Sequence, residues 1–78
     1  MAERLEQCEL DADELNLLGV AYLILWEKTK NEKYFEKAER ILEHAGTSKA
    51  YENLAIAYAK KRNYKKAKFY AAKAEIER

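Results

Sequence analysis

Proline is absent from this 78-residue sequence, and glycine occurs only at Gly19 and Gly46. Tight β-hairpin turns depend on such turn residues, whereas the residues that dominate here (Ala, Glu, Lys and Leu) are strong helix formers. Hydrophobic residues make up 49% of the chain and charged residues 37%, which is too apolar for intrinsic disorder. The composition therefore predicts one small domain of the all-α class.

Side chains that carry catalysis or bind metals are also scarce. Cys8, His44 and Ser48 are each the single residue of their type. A catalytic triad or a zinc site needs several such groups at defined spacings, and no glycine-rich loop for phosphate is present. We therefore expect no enzyme activity, no cofactor, no metal ion and no small-molecule substrate, with His44 and Cys8 in structural roles.

Long hydrophobic runs are missing too. The longest apolar stretch, Val20 to Trp26, is far shorter than the roughly 18 residues that indicate a membrane span. The opening Met1-Ala2-Glu3 lacks the basic residues and apolar run of a signal peptide. Together with the lone cysteine, which suits a reducing compartment, these features predict a cytoplasmic protein without a membrane partner.

Apolar periodicity and capping residues indicate five helical segments. The first is short, over about 2–9, and the second is capped by Asp11 or Asp13 and runs to about Lys28. The third is capped by Thr29 or Asn31 and stops at Gly46. The fourth is capped by Thr47 or Ser48 and ends near Arg62, and the fifth is capped by Asn63 and runs towards Arg78. Thr29 and Glu32 also have the spacing of a capping box.

The second predicted helix is apolar around most of its circumference. One stripe at helical spacing consists of Leu15, Leu18, Tyr22 and Leu25. The remaining surface is largely covered by Leu17, Val20, Leu23 and Ile24. A helix that is apolar nearly all round is expected to be buried nearly all round, and a chain this short has little with which to cover it.

The sequence repeats itself. Leu18-Gly19-Val20-Ala21-Tyr22 returns 36 residues later as Leu54-Ala55-Ile56-Ala57-Tyr58. The third and fifth helices share a spacing as well, seen in Phe35, Ala38, Leu42 and Ala45 and again in Tyr64, Ala67, Ala71 and Ala74. Two such helix pairs can bury their apolar faces by stacking, with Gly19 and Ala55 permitting close approach.

These repeats resemble the tetratricopeptide family. Its first-helix signature is similar to Leu15-x2-Leu18-Gly19-x2-Tyr22 and Tyr51-x2-Leu54-Ala55-x2-Tyr58. Its second-helix signature resembles Ala38-x3-Leu42 and Ala67-x3-Ala71, and the 36-residue period with Gly46 is similar to Sel-like repeats. The resemblance implies two helical hairpins, residues 12–46 and 47–78, in a short superhelix with an extra helix over residues 1–10.

The first hairpin departs from the family spacing. The interval from Tyr22 to Phe35 is seven residues longer than the interval from Tyr58 to Tyr64. About two extra helical turns, or a longer loop, would account for the difference.

The resemblance also implies a protein-interaction module with a groove lined by the second and fourth predicted helices. Its expected groove residues are Asn16, Val20, Leu23, Ile24, Lys49, Glu52, Ile56 and Lys60. Two occupants stay open for this surface: the N-terminal helix folded over it, or an apolar partner helix, peptide or second subunit.

Repeat arrays usually end in a polar capping helix. The five predicted helices include no such cap after the last one, so we expect a second apolar edge on that helix. The edge is predicted at Phe69, Tyr70 and Ala74. Either the small alanine side chains make it tolerable, or a symmetric dimer or another partner covers it. From the two uncovered apolar surfaces together we predict a homodimer.

Charge is unevenly distributed along the chain. Residues 1–45 carry six basic and eleven acidic side chains, whereas residues 46–78 carry nine basic and three acidic ones. The basic surface from Lys60 to Lys73 could bind an acidic protein, bind nucleic acid through phosphates, or remain a solvated face. Nucleic acid is the least favoured of the three, because no recognised nucleic-acid motif is present.

Overall fold

A computed structural model describes residues 10–77 and shows an all-α chain in that range, with no strand. Its four helices are α1 (Ala12–Thr29), α2 (Glu32–Ala45), α3 (Ser48–Lys60) and α4 (Tyr64–Glu77). They correspond to the second to fifth predicted helices. The predicted first helix, over 2–9, lies outside the described residues.

The start of α1 is fixed by a reciprocal cap. The Asp11 carboxylate accepts a hydrogen bond from the backbone N–H of Glu14 at 2.8 Å, and the Glu14 carboxylate accepts one from the N–H of Asp11 at 3.1 Å. Such a capping box satisfies two of the donors that a helix start leaves without partners. Of the two N-caps that the sequence allowed here, Asp11 is the one used.

The extra residues between Tyr22 and Phe35 are helical. Helix α1 continues seven residues past Tyr22, whereas α3 ends two residues past Tyr58. Thr29 is the last residue of α1, and its hydroxyl donates to the carbonyl of Leu25 at 2.8 Å. The capping box of Thr29 with Glu32 is therefore not formed.

The turns that follow are set by local capping groups. The Asn31 carboxamide caps α2 by accepting from the N–H of Lys33 at 3.0 Å. Gly46 ends α2 in the left-handed region at φ 63°, as expected for a glycine directly after a helix, and Thr47 caps α3. Helix α3 ends at Lys60, two residues before the predicted end, because Arg62 turns into the left-handed region at φ 66°.

The four helices pack as two hairpins, α1 against α2 and α3 against α4. Helix α3 also lies against both helices of the first hairpin, which joins the two hairpins into one body. The serine at the start of α3 ties the second hairpin together, since the Ser48 hydroxyl donates to the carbonyl of Ala74 at 3.0 Å.

A chain of aromatic rings crosses all four helices. Trp26 of α1 meets Phe35 of α2 edge-on with ring centroids 4.9 Å apart, and Phe35 meets Tyr58 of α3 in the same way at 5.0 Å. Tyr58 stacks on Tyr70 of α4 at 5.7 Å, and Tyr70 stacks on Tyr51 at 6.1 Å. Such pairs stabilise by roughly 0.5–1.5 kcal/mol beyond area burial, so these rings hold the hairpins in register.

The predicted apolar stripe on α1 is only partly buried. Leu18 and Leu25 are 38% and 39% exposed, and the buried positions of α1 are Gly19 and Trp26 instead. Helix α1 has one hairpin neighbour and the edge of α3, so its broad apolar surface exceeds what the described residues cover. This exposure agrees with the expectation that a chain this short has little with which to cover the apolar surface of α1.

Candidate functional site

An apolar groove lies between α1 and α3. It is lined by Val20, Leu23, Ile24, Trp26 and Glu27 of α1, and by Asn53, Ile56, Ala57 and Lys60 of α3. Ile24 and Ile56 stand open at its mouth, with 48% and 55% of each residue exposed. The groove thus combines apolar walls with direct access from solvent.

Two polar contacts bridge the helices across the groove. The Lys60 ammonium donates to the Glu27 carboxylate at 2.5 Å, and the Asn53 carboxamide donates to the Asn16 carboxamide oxygen at 2.9 Å. The ion pair is exposed and adds little to stability, because exposed pairs contribute roughly 0–1 kcal/mol. Both contacts join α1 to α3 beside the groove.

The groove encloses about 130 Å³. Sites for small organic ligands usually enclose roughly 300–1,000 Å³, so this groove is too small for most of them. Its volume suits one large aliphatic or aromatic side chain presented by another polypeptide.

Most of the predicted groove residues lie together. Five of the eight line this groove, namely Val20, Leu23, Ile24, Ile56 and Lys60. Asn16 is joined to it through the bond from Asn53. Glu52 instead borders a depression between α3 and α4, and Lys49 is exposed outside the residues that line the groove. Glu52 lies on the side of α3 that faces α4, whereas Lys49 shares the helix face of Ile56 and Lys60 but lies near the N-terminal end of α3, beyond the lining residues.

One contact of a groove residue, Trp26, was not predicted. Glu32 accepts from the indole N–H of Trp26 at 3.1 Å and from the Lys61 ammonium at 2.6 Å. These two hydrogen bonds, with the Lys61 bond contributing more, hold the pKa of the Glu32 carboxyl below its usual range. The sequence does carry a signal for this contact. Trp26 lies seven residues, or about two helical turns, after Gly19, which places its indole on the face of α1 that meets α2.

The edge predicted at Phe69, Tyr70 and Ala74 is wrong for two of its three residues. Tyr70 is 3% exposed and Ala74 is 2% exposed, because both face α3, while Phe69 is 54% exposed. The error arises because Tyr70 turns inward to the aromatic chain.

The inward position of Tyr70 places its hydroxyl against acidic groups of the first hairpin. It lies 2.8 Å from Glu39 and also within hydrogen-bond distance of Glu43, and with one proton it donates to one carboxylate at a time. The Tyr58 hydroxyl donates to Glu39 at 2.7 Å. Burial, followed by these hydrogen bonds, raises the pKa of both Tyr58 and Tyr70 well above the usual value.

The basic surface is partly engaged within the chain. Lys60 and Lys61 pair with Glu27 and Glu32. The Lys66 ammonium lies 5.3 Å from the ring centre of Tyr58, and that of Lys73 lies 4.9 Å from the ring centre of Tyr51. Cations held over aromatic faces and beside carboxylates are less available for phosphates, which weighs against the nucleic-acid interpretation.

Within residues 10–77, no three His, Cys, Asp or Glu side chains are grouped so that they could hold a metal ion. None of the four described helices is long and apolar enough to cross a membrane.

Comparison of the chain with protein-family models, with curated proteins and with solved structures finds no match. Its function is therefore inferred from the fold and the side chains described above.

Proposed function

We propose that this chain is a non-enzymatic protein-interaction module that binds a helix or peptide through the groove between α1 and α3 and associates with copies of itself. The observation that supports binding most strongly is the open position of Ile24 and Ile56 at the mouth of an apolar groove. Paired exposed isoleucines on a small domain are typical of a surface that another molecule covers.

The packing also supports a tetratricopeptide-like architecture, in which stacked hairpins form a short superhelix with α1 and α3 on its concave side. Helix α3 contacts both helices of the first hairpin, as expected when one hairpin follows another in such a stack. The equivalent positions Leu18 and Leu54 carry the same residue 36 positions apart.

The proposed recognition depends on apolar burial with polar selection at the rim. Covering an exposed isoleucine contributes about 1.5–3 kcal/mol before the entropic costs of association are subtracted. The pair of Glu27 and Lys60 presents opposite charges beside the groove, so a partner with a misplaced charge there is disfavoured. We therefore expect a partner helix or peptide to bind with moderate affinity and in one defined register.

Titration with short amphipathic helical peptides tests the proposal, since Trp26 lines the groove and its fluorescence reports occupancy. We expect saturable binding of peptides that carry a large apolar residue on an otherwise polar helix. Ile56→Glu and Ile24→Glu should weaken binding at least tenfold, because each places a charge on an apolar wall. The matched control is Ile76→Glu, at a residue 78% exposed on α4 and outside the groove, which should bind as the unaltered chain does.

Equal loss in Ile76→Glu and Ile56→Glu would mean that binding is not located in the groove. Absence of binding by every peptide in the series, with circular dichroism showing an intact helical fold, would contradict the proposal itself.

A further inference from the structure

The outer face of the second hairpin carries a shallow apolar depression of about 450 Å³. It is lined by Ala55, Ile56, Ala59, Tyr64, Ala67, Lys68 and Ala71. Tyr64 is 61% exposed, and Lys68 is the one charged residue in the set. Of its lining residues, Ile56 also lines the groove, and none belongs to α1.

Each of these residues has a counterpart in the first hairpin, 36 residues earlier in α1 or 29 residues earlier in α2. The counterparts are Gly19, Val20, Leu23, Phe35, Ala38, Glu39 and Leu42. That equivalent surface is where α3 docks, since Phe35 packs edge-on against Tyr58 and Glu39 accepts from the Tyr58 hydroxyl. Phe35 and Leu42 are buried there, at 2% and 0% exposed.

The same chain also presents a surface that corresponds to the docking face of α3. Leu54 and Ala57 of α3 are buried, at 0% and 4% exposed. Their counterparts 36 residues earlier are Leu18, which is 38% exposed, and Ala21, which is also exposed. Leu25, at 39% exposed, extends this α1 face by one helical turn.

We infer that the depression on α3 and α4 receives helix α1 of a second copy of this chain, in the arrangement that α3 adopts on α1 and α2. Both halves of the interface are exposed on one molecule, and each matches, position by position, one half of an interface that the chain already forms internally. The inference rests on the self-association in the proposed function and specifies its surfaces.

Such an interface is heterologous, because the donating and receiving faces differ. A dimer formed this way leaves one free donating face and one free receiving face, so further copies can add until a ring closes or a filament grows. Tyr22 of the incoming helix occupies the place of Tyr58, with its hydroxyl directed to Lys68 rather than to a carboxylate.

Two single-sided variants test the arrangement. Ala71→Glu places a charge in the receiving face and Ala21→Glu places one in the donating face, and both alanines are exposed in the single chain, so folding is preserved. In sedimentation equilibrium, we expect the unaltered chain to gain mass with concentration, while each variant alone stays at the 9.1 kDa of one chain. A mixture of the two variants should form a complex of two chains and nothing larger, because one intact face remains on each.

Phe69→Glu is the matched control, since Phe69 is exposed on the opposite side of α4 from Ala71 and should leave assembly unchanged. Tyr64→Glu is a second receiving-face variant that should behave as Ala71→Glu does. A strictly monomeric unaltered chain overturns the inference, as does a mixture that stays monomeric or loss of assembly in Phe69→Glu alone. Titration of Ala71→Glu with peptide separates this inference from the proposed binding function. If the variant binds peptide in the α1–α3 groove while the unaltered chain never assembles, the inference fails and the binding function stands.

Discussion

Gly19 of α1 lies directly against Leu42 of α2. A Cβ atom built on Gly19 would lie 2.5 Å from the Leu42 Cγ atom and 2.6 Å from one of its methyl groups. Leu42 is fully buried, so it cannot swing out into solvent. The close approach of Gly19 that was predicted from the sequence is confirmed, and the absence of a side chain is what permits it.

Gly19→Ala should therefore destabilise the protein although alanine is the better helix former. Overpacking costs about 1–3 kcal/mol, whereas the helix propensity gain is about 1 kcal/mol, so we expect a net loss of up to about 2 kcal/mol. Urea unfolding followed by the fluorescence of Trp26 measures the change.

In the second hairpin, the positions equivalent to Gly19 and Leu42 are both alanine, at Ala55 and Ala71. This pair suggests a control in which Gly19 and Leu42 are both replaced by alanine. Leu42→Ala alone should cost about 2–5 kcal/mol by leaving a cavity. In that background Gly19→Ala should change sign and restore up to about 1 kcal/mol, since the new methyl group then fills space. If Gly19→Ala has the same effect with Leu42 and with Ala at that position, steric conflict is not the cause.

Among residues 10–77, three in the left-handed region offer a second prediction. Lys30, Gly46 and Arg62 have φ angles of 60°, 63° and 66°, and a side chain at such angles costs roughly 1–2 kcal/mol. Glycine loses more chain entropy on folding, which cancels part of that gain. Lys30→Gly and Arg62→Gly should raise the free energy of unfolding by up to about 1 kcal/mol, whereas Gly46→Ala should lower it by about 1 kcal/mol.

Thermal unfolding of these variants checks the signs. Lys33→Gly, in the first turn of α2, is the contrasting case and should be destabilising, because a regular helical residue gains nothing from glycine. Stabilisation by glycine at Lys33 as well would show that the effect at Lys30 has another origin.

The contact of Glu32 with Trp26 and Lys61 predicts an acid-sensitive signal. Because the folded-state pKa of Glu32 is lowered, its contribution to stability is present above the unfolded value of about 4.3 and is lost as pH falls below it. The indole N–H resonance of Trp26 should shift with a midpoint below that of an ordinary glutamate.

Lys61→Met removes the larger cause of this depression and should raise the midpoint of the Trp26 resonance. Lys60→Met is the matched variant, since Lys60 pairs with Glu27, and it should leave the midpoint where it was. An identical midpoint in the unaltered chain and in Lys61→Met would show that Lys61 does not act on Glu32.

The helices could be predicted from the sequence because their signals are local. The pairing of Asp11 with Glu14 and the position of Gly46 are each decided within a few residues. Whether the residues after Tyr22 form helix or loop could not be decided locally. Trp26 settles it, since its ring packs on Phe35 only if α1 continues.

Side-chain direction across hairpins was harder to predict. Tyr70 and Phe69 are adjacent aromatic residues, and only packing against Tyr58 and Tyr51 shows which one points inward. Glu52 likewise resembles a groove residue by analogy, yet the rotation of α3 directs it towards α4. The apolar wall of the groove was predictable because Val20 and Ile56 share a repeat position.

The hydroxyl of Tyr70 gives the last prediction. Tyr70→Phe removes a hydrogen bond from a buried phenol to the carboxylates of Glu39 and Glu43, and should cost about 1 kcal/mol near pH 8. Tyr64→Phe, at a residue 61% exposed, is the control and should be neutral.

The same contact fixes how stability depends on alkaline pH. The pKa of Tyr70 and that of Tyr58 are raised in the folded state, so the unfolded chain loses these protons first, near its pKa of about 10. Stability from these groups is complete below that pH and falls as pH rises further, by up to about 1.4 kcal/mol per pH unit for each tyrosine. Urea unfolding between pH 8 and 11 should show a shallower decline in Tyr70→Phe than in the unaltered chain or in Tyr64→Phe, since one of the two shifted groups is then missing. Parallel declines in all three proteins would mean that Tyr70 keeps an ordinary pKa when the chain is folded.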